Sequence, residues 1–203
     1  MLSIWLSLLW VVVIHMNRNK VRIIGGAWRS RILKFPDEPG LRPSPDRVRE
    51  TLFNWLQQDV QSKRCLDGFA GSGVLGFEAL SRGAKHVTMI ESSRALAEQL
   101  RENAHLLQTD AFKVCCGRFE HSLKRLQDQR FDLIFLDPPF GKGMVLECLG
   151  LLQKHQLLAE DALIYAETEP VDIDWPSGFE LLKRGKAGSV RFFLLQWKQS
   201  SLL

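Results

Sequence analysis

Asp137-Pro138-Pro139-Phe140 combines an acid, a stiff corner and an aromatic ring in four residues. Two consecutive prolines hold φ at about −65° and remove two backbone donors, so the corner presents carbonyl oxygens and one carboxylate. Acceptors of that kind suit a planar amine on a nucleobase, whose N–H bonds must be held before its nitrogen can act as a nucleophile. An aromatic residue one step later can hold the base by stacking. The plainer alternative is a rigid loop that merely ends a strand. The preceding run, Phe131 to Leu136, is apolar but for Asp132 and reads as a buried strand, which puts the tetrapeptide at a strand's carboxyl end.

A second group lies upstream. Asp67-Gly68-Phe69-Ala70-Gly71-Ser72-Gly73 follows the short apolar run Cys65-Leu66, and Gly71 to Gly76 spells G-x-G-x-x-G. That spelling alone points to a dinucleotide fold, in which a pyrophosphate approaches a helix amino terminus. The acid at the loop entrance points elsewhere. Asp67 would repel a pyrophosphate, but it suits the ammonium and sulfonium of S-adenosylmethionine. Glu91, at the tip of the next strand with Ser92 beside it, can accept ribose hydroxyls in either reading. Phe119, after the third strand, is either a wall for an adenine ring or a core residue. The strand tip before it carries Cys116-Gly117-Arg118 and no acid.

The elements that would position these groups alternate along the chain. Strands are expected at 65–66, 86–90, 111–115, 131–136 and 162–167, with helices at 74–82, 93–107, 119–128 and 144–154 between them. Phe179–Lys183 and Ser189–Trp197 read as a closing hairpin joined by residues 184–188. The pattern predicts an α/β doubly wound, Rossmann-like sheet, mostly parallel with an antiparallel carboxyl-terminal strand. Ligands in such sheets bind outside the carboxyl ends of the strands, where Asp67–Gly73, Glu91 and Asp137–Phe140 all fall. Upstream, Val21–Ile24 and Trp28–Leu33 read as a small hairpin. Ser44 and Pro45 read as N-cap and first residue of a helix through Val48, Leu52, Trp55 and Leu56.

Composition bounds the partners. At 203 residues, 45% hydrophobic and 25% charged, the chain suits one globular domain. The net charge is +4, but the first fifty residues alone carry nine Lys/Arg against four acids. An amino-terminal arm so charged suits RNA or DNA; the alternative is a solvated tail. The four cysteines lack zinc-site spacing, so no metal is expected, and a reduced cytoplasmic compartment fits them best. Leu2 to Ile14 is apolar, too short for a membrane span and without the basic flank of a signal peptide. The expectation is a leader at 1–15 outside the native protein (translation starting at Met16), a basic RNA-binding arm at 16–43 and a catalytic domain at 44–203. No membrane contact is expected, and a monomer is.

The corner resembles the D/N-P-P-F/Y/W signature of methyltransferases acting on exocyclic amines. Val21-Arg22-Ile23-Ile24-Gly25-Gly26-Ala27-Trp28-Arg29 and the block Leu41 to Leu56, together with Asp67–Gly73 and Asp137–Phe140, are similar to the RsmD family. The likeness spans about residues 20–197, and the Leu41–Leu56 block is its specific part. It implies methyl transfer from S-adenosylmethionine to the N2 amine of a guanine in 16S ribosomal RNA, naked or in an assembled small subunit. It implies a catalytic corner at Asp137, Pro138, Pro139 and Phe140. A cofactor pocket would include Asp67, Phe69, Gly71, Ser72, Gly73, Glu91, Ser92, Phe119 and Asp46. RNA contacts fall to Arg22, Trp28, Arg29, Arg31, Arg42 and Arg47, with Glu50 bordering the entrance. Trp28 and Phe35 either stack on unpaired bases or pack the arm; Arg42, Asp46, Arg47 and Glu50 have a surface ion-pair ladder as their alternative. Gly68, where the family often carries a bulkier residue, is expected to matter little. Two rival readings remain: a DNA adenine-N6 or protein-glutamine methyltransferase, and a non-catalytic RNA-binding module.

Overall fold

A computed structural model describes residues 19–139, 143–169 and 173–199. The leader at 1–15, Met16, Arg18 and Phe140 lie outside the described residues. Seven strands form the main sheet: β3 (Arg64–Asp67), β4 (His86–Glu91), β5 (Phe112–Cys116), β6 (Phe131–Leu136), β7 (Leu158–Thr168), β8 (Phe179–Ala187) and β9 (Val190–Trp197). Their order is β5-β4-β3-β6-β7-β9-β8. The first five run parallel, and β9 pairs antiparallel with both β7 and β8. Strand order therefore reverses between β3 and β6, which opens a crevice at their carboxyl ends.

Burial on both faces explains the near-continuous apolar reading of the central strands. Helices α1 (Asp46–Leu56), α2 (Val74–Ser81) and α3 (Arg94–Leu106) cover one face; α4 (Phe119–Leu123) and α5 (Met144–Lys154) cover the other. Val48, Leu52, Phe53 and Leu56 on α1 form the apolar stripe that seats it on the first face. Several elements differ from the sequence expectation in extent: β7 begins at Leu158 instead of 162, and the strand expected at 28–33 is confined to Ile32–Lys34. α4 stops at Leu123 instead of 128, and β8 runs on to Ala187, leaving Gly188-Ser189 as the turn.

A second, two-stranded sheet, β1 (Lys20–Arg22) with β2 (Ile32–Lys34), belongs to the same body. Ile23 and Leu33 are completely buried in the core cluster of the first face, each contributing about 1.5–3 kcal/mol of burial. Phe35 is buried with them, so it is not available to stack on a base as the sequence allowed. The tip of this hairpin binds helix ends: Ala27 N–H donates to the Ser81 carbonyl (2.7 Å), and Arg31 Nη2 to the Leu106 carbonyl (2.7 Å). Helices α2 and α3 return antiparallel to the strands they connect. Their last residues therefore lie at the end of the sheet opposite the crevice.

Candidate active site

Four strand tips build the crevice. Asp67 ends β3, is almost fully buried, and accepts a hydrogen bond at Oδ2 from the Gly76 N–H (3.2 Å). Burial pushes its carboxyl up to about 7; the Gly76 and Phe69 N–H groups pull it down, and Glu91 pushes it further up. The acid thus lies beneath the glycine loop and shapes it. Gly71 and Gly73 both take positive φ (50° and 77°), and a Cβ on Gly73 would strike Leu100 and Phe77. Ser72 between them is buried.

Glu91 ends β4 and ties the loop from its other side. Its Oε2 accepts from the Gly71 N–H (2.8 Å) and its Oε1 from the Ser93 N–H (2.7 Å) and the Ser92 hydroxyl (3.4 Å). A carboxylate offers about four lone-pair sites, so Glu91 keeps capacity for an incoming hydroxyl. Two acids with no cation among the loop residues suit an ammonium and a ribose, and oppose a pyrophosphate.

Phe69 and Phe119 stack at 5.1 Å and 16° beside this loop. Phe119 is buried in the second core cluster, so it serves the core and its ring also backs Phe69. Gly68 has a role the sequence reading discounted. A Cβ there would sit 2.8 Å from the Phe119 ring and 3.2 Å from Leu136. The missing side chain is what lets Phe119 close on the strand.

Asp137 follows β6, half-buried, with Pro138 buried and Pro139 exposed. Its carboxyl is held well above the usual range by burial, then by Glu167 and Asp67. Glu167, near the end of β7 and almost fully buried, was missed by the sequence reading. Its Oε1 accepts from the Tyr165 hydroxyl (2.8 Å) and the Ser44 hydroxyl (3.0 Å), and Ser44 also lies 3.4 Å from Asp137 Oδ2. The available signal was its place: an acid at the tip of the strand next to Asp137.

Ser44 corrects a second expectation. It does not cap α1, whose N-cap position is Pro45 with no side-chain hydrogen bond. Its hydroxyl serves the two acids instead, and its carbonyl accepts from Arg49 Nε (3.1 Å). Arg49 is fully buried and also binds Glu78 Oε1 (2.8 Å), the Arg22 carbonyl (2.9 Å) and the Asp46 carboxylate. Asp46, expected in the cofactor pocket, is thus the outer partner of a buried arginine. Leu41 lies against Gly71, so the segment from Leu41 to Ser44 bridges the glycine loop and the proline corner.

The structure divides the expected RNA contacts. Arg42 and Arg47 are exposed on and just after this bridging segment. Arg22 is exposed on β1, its carbonyl held by Arg49. Trp28, Arg29 and Arg31 belong to the hairpin tip at the far end, with Trp28 packed on the core and Arg31 closing α3. Among the described residues, no group of three or more His, Cys, Asp or Glu is placed to hold a metal ion. No helix among them is long and apolar enough to cross a membrane.

A model of the family described as Conserved hypothetical protein 95 matches residues 21–196. The chain is 43% identical over 184 residues to a ribosomal RNA small subunit methyltransferase D of Escherichia coli, covering 90% of this chain and 92% of that one. It is 44% identical over 183 residues to the protein of the same name from Haemophilus influenzae, covering 88% and 95%. A solved structure from Escherichia coli, described as a methyltransferase, superposes with a TM-score of 0.81 at 42% identity, covering 89% and 99%.

Proposed function

From its membership of the Conserved hypothetical protein 95 family, to which the RsmD methyltransferases belong, we propose that this chain methylates the N2 amine of a guanine in 16S ribosomal RNA. The observation that carries the reading is the shared cleft. Asp137 stands beside Glu167 and within electrostatic reach of Asp67, across the point where strand order reverses.

S-adenosylmethionine is the expected methyl donor, and it supplies a methyl group on a positively charged sulfonium that leaves as a neutral thioether. The residues present fit it. Glu91 takes ribose hydroxyls, the side-chain-free Gly71 and Gly73 allow close approach, and Asp67 supplies negative charge below the loop. The guanine must leave its stack, because its amine is out of reach inside a duplex. The Asp137 carboxylate and the Pro138 carbonyl accept its two N–H bonds, which frees the nitrogen lone pair from the ring. The resemblance assigns stacking on the base to Phe140, which closes the Asp137-Pro138-Pro139-Phe140 motif. The surplus proton passes to Asp137, whose burial beside Glu167 already favours the protonated acid, against the Ser44 hydroxyl that donates to the carboxylate. Because charge is lost in the transition state, positioning supplies most of the rate.

The test is methyl transfer from labelled donor to ribosomal RNA or small subunits taken from a strain lacking the protein, followed by nucleoside mass mapping. One N2-methylguanosine is expected with the wild type. Asp137→Ala is expected to lose at least about a thousandfold in turnover while donor affinity stays within about threefold. Label in another base, or near-normal turnover by that variant, overturns the assignment.

A further inference from the structure

The carboxyl rim of the sheet continues past Glu167 to the β8–β9 hairpin, and that hairpin carries cations. Register aligns Leu136, Ala166, Phe193 and Arg184 in one row across four strands, with Thr168, Arg191 and Lys186 two residues further on, on the same face. Arg184 and Lys186 therefore stand at the height of the proline corner, three strands away, or roughly 14 Å at the usual strand spacing. A register shift between Leu181 and Lys183 sets their face. Without that extra residue Lys183 would oppose Phe193, and Arg184 and Lys186 would turn to the other side of the sheet. With it, Arg184, Lys186 and Arg191 share the face of Phe193.

These three cations line a groove of about 470 Å³ together with Trp175, Phe193 and Asp174. Trp175 is half-buried and meets Phe193 edge to face at 5.1 Å, which holds its ring on the groove wall. Arg184 and Lys186, both exposed, outnumber Asp174 and leave the groove positive, and a fixed indole within it offers a stacking surface. The tip of the β1–β2 hairpin is at the wrong end of the sheet to anchor a strand whose base enters the cleft; the groove is at the right end. Asp137 and Glu167 face the side covered by α1, while the groove opens on the other side.

We propose that this groove binds the single-stranded RNA flanking the target base, phosphates on Arg184 and Lys186 and a neighbouring base on Trp175. The proposal rests on the RNA methyltransferase reading above. The strand crosses the rim between β7 and β9, and anchoring it there holds the flipped nucleotide in the cleft.

The experiment compares wild type with the double variant Arg184→Ala, Lys186→Ala, both sites being exposed. Binding to a short single-stranded RNA carrying the target guanine is measured by fluorescence anisotropy across a salt series, with donor binding by calorimetry and methyl transfer alongside. The variant is expected to bind RNA at least about tenfold more weakly and to lower the log–log salt slope by about 1.4, two phosphates' worth for a single strand. Donor affinity is expected to be unchanged. The charge-preserving pair Arg184→Lys, Lys186→Arg should restore RNA binding, and Trp175→Ala should weaken it about tenfold with the slope unaltered. Wild-type methylation with an undiminished double variant overturns the groove and leaves the methyltransferase reading standing. Absence of RNA methylation by the wild type overturns that reading itself, and the groove with it. A defect seen with assembled small subunits and never with RNA alone means that the groove meets a ribosomal protein, which also overturns the proposal.

Discussion

Ser44 has one hydroxyl proton and faces two carboxyl groups, Glu167 at 3.0 Å and Asp137 at 3.4 Å. It can donate to one of them at a time, and both acids are pushed toward the protonated form by burial. One proton shared in this pair satisfies every contact without two adjacent negative charges. Binding of an amine needs Asp137 ionised, so activity is expected to fall as pH drops through the raised Asp137 value. Glu167→Gln keeps an acceptor for Tyr165 and Ser44 but removes the neighbouring charge. The acidic limb of the kcat/KM profile should therefore move to lower pH, and an unmoved limb would remove Glu167 from this role. Asp67 makes a stability prediction. Its folded carboxyl titrates at about 7, against an ordinary value of 3.8. Between those two values the folded state holds a proton that the unfolded state has released, so its contribution to stability falls as pH rises from about 4 to about 7 and is flat above. Asp67→Asn should remove that decline and make donor-free protein more stable than wild type at pH 8, by up to about 4 kcal/mol, measured by urea unfolding. The same variant should bind the donor more weakly.

At the scale of elements, α1 and the β1–β2 hairpin are one unit because Arg49 ties them together. Its guanidinium reaches the Arg22 carbonyl on β1, the Ser44 carbonyl before α1, Asp46 on α1 and Glu78 on α2. Glu78 in turn accepts from the Ile24 N–H and from Arg82 Nε (3.3 Å). Ser44 stands on this scaffold, so the fold reaches the acid pair through Arg49. Both members of the Arg49–Glu78 pair are fully buried, and removing one leaves the other's charge uncompensated. Arg49→Ala is expected to cost about 3–5 kcal/mol in chemical denaturation. A double replacement by apolar residues of similar volume should cost less, and equal losses would show that the ion pair is not the source. Sequence periodicity placed α1 correctly, yet it assigned Ser44 the local job of capping it. A buried hydroxyl facing acids 93 and 123 positions away leaves no trace in local pattern.

At the scale of the molecule, the two ends of the sheet have different work. The crevice end collects Asp67, Glu91, Asp137 and Glu167, with Arg42 and Arg47 exposed nearby. The opposite end receives the hairpin tip, where Arg31 meets the carbonyl end of α3, the end that favours a cation. We predict that Arg29→Ala leaves RNA methylation within about threefold of wild type. Arg42→Ala with Arg47→Ala should weaken RNA binding and flatten its salt dependence by about 1.4. Comparable losses from both would place RNA along the whole length of the domain.

The amino-acid order alone determined the alternation of strands and helices, the parallel sheet and the placing of Asp67, Glu91 and Asp137 at strand tips. Those follow from apolar period, turn residues and right-handed crossovers, all readable within a few residues of each position. The charge excess of the first fifty residues was equally legible, but its meaning was not. One of those arginines became the buried clamp of the fold and another a helix cap, because a guanidinium's partner is chosen by what packing brings alongside it. The tertiary structure likewise decided that Glu167 and Ser44 join Asp137, and that a one-residue bulge turns Arg184 and Lys186 to one face. Register and long-range contact are properties of the assembled sheet, set only when every strand has found its neighbour.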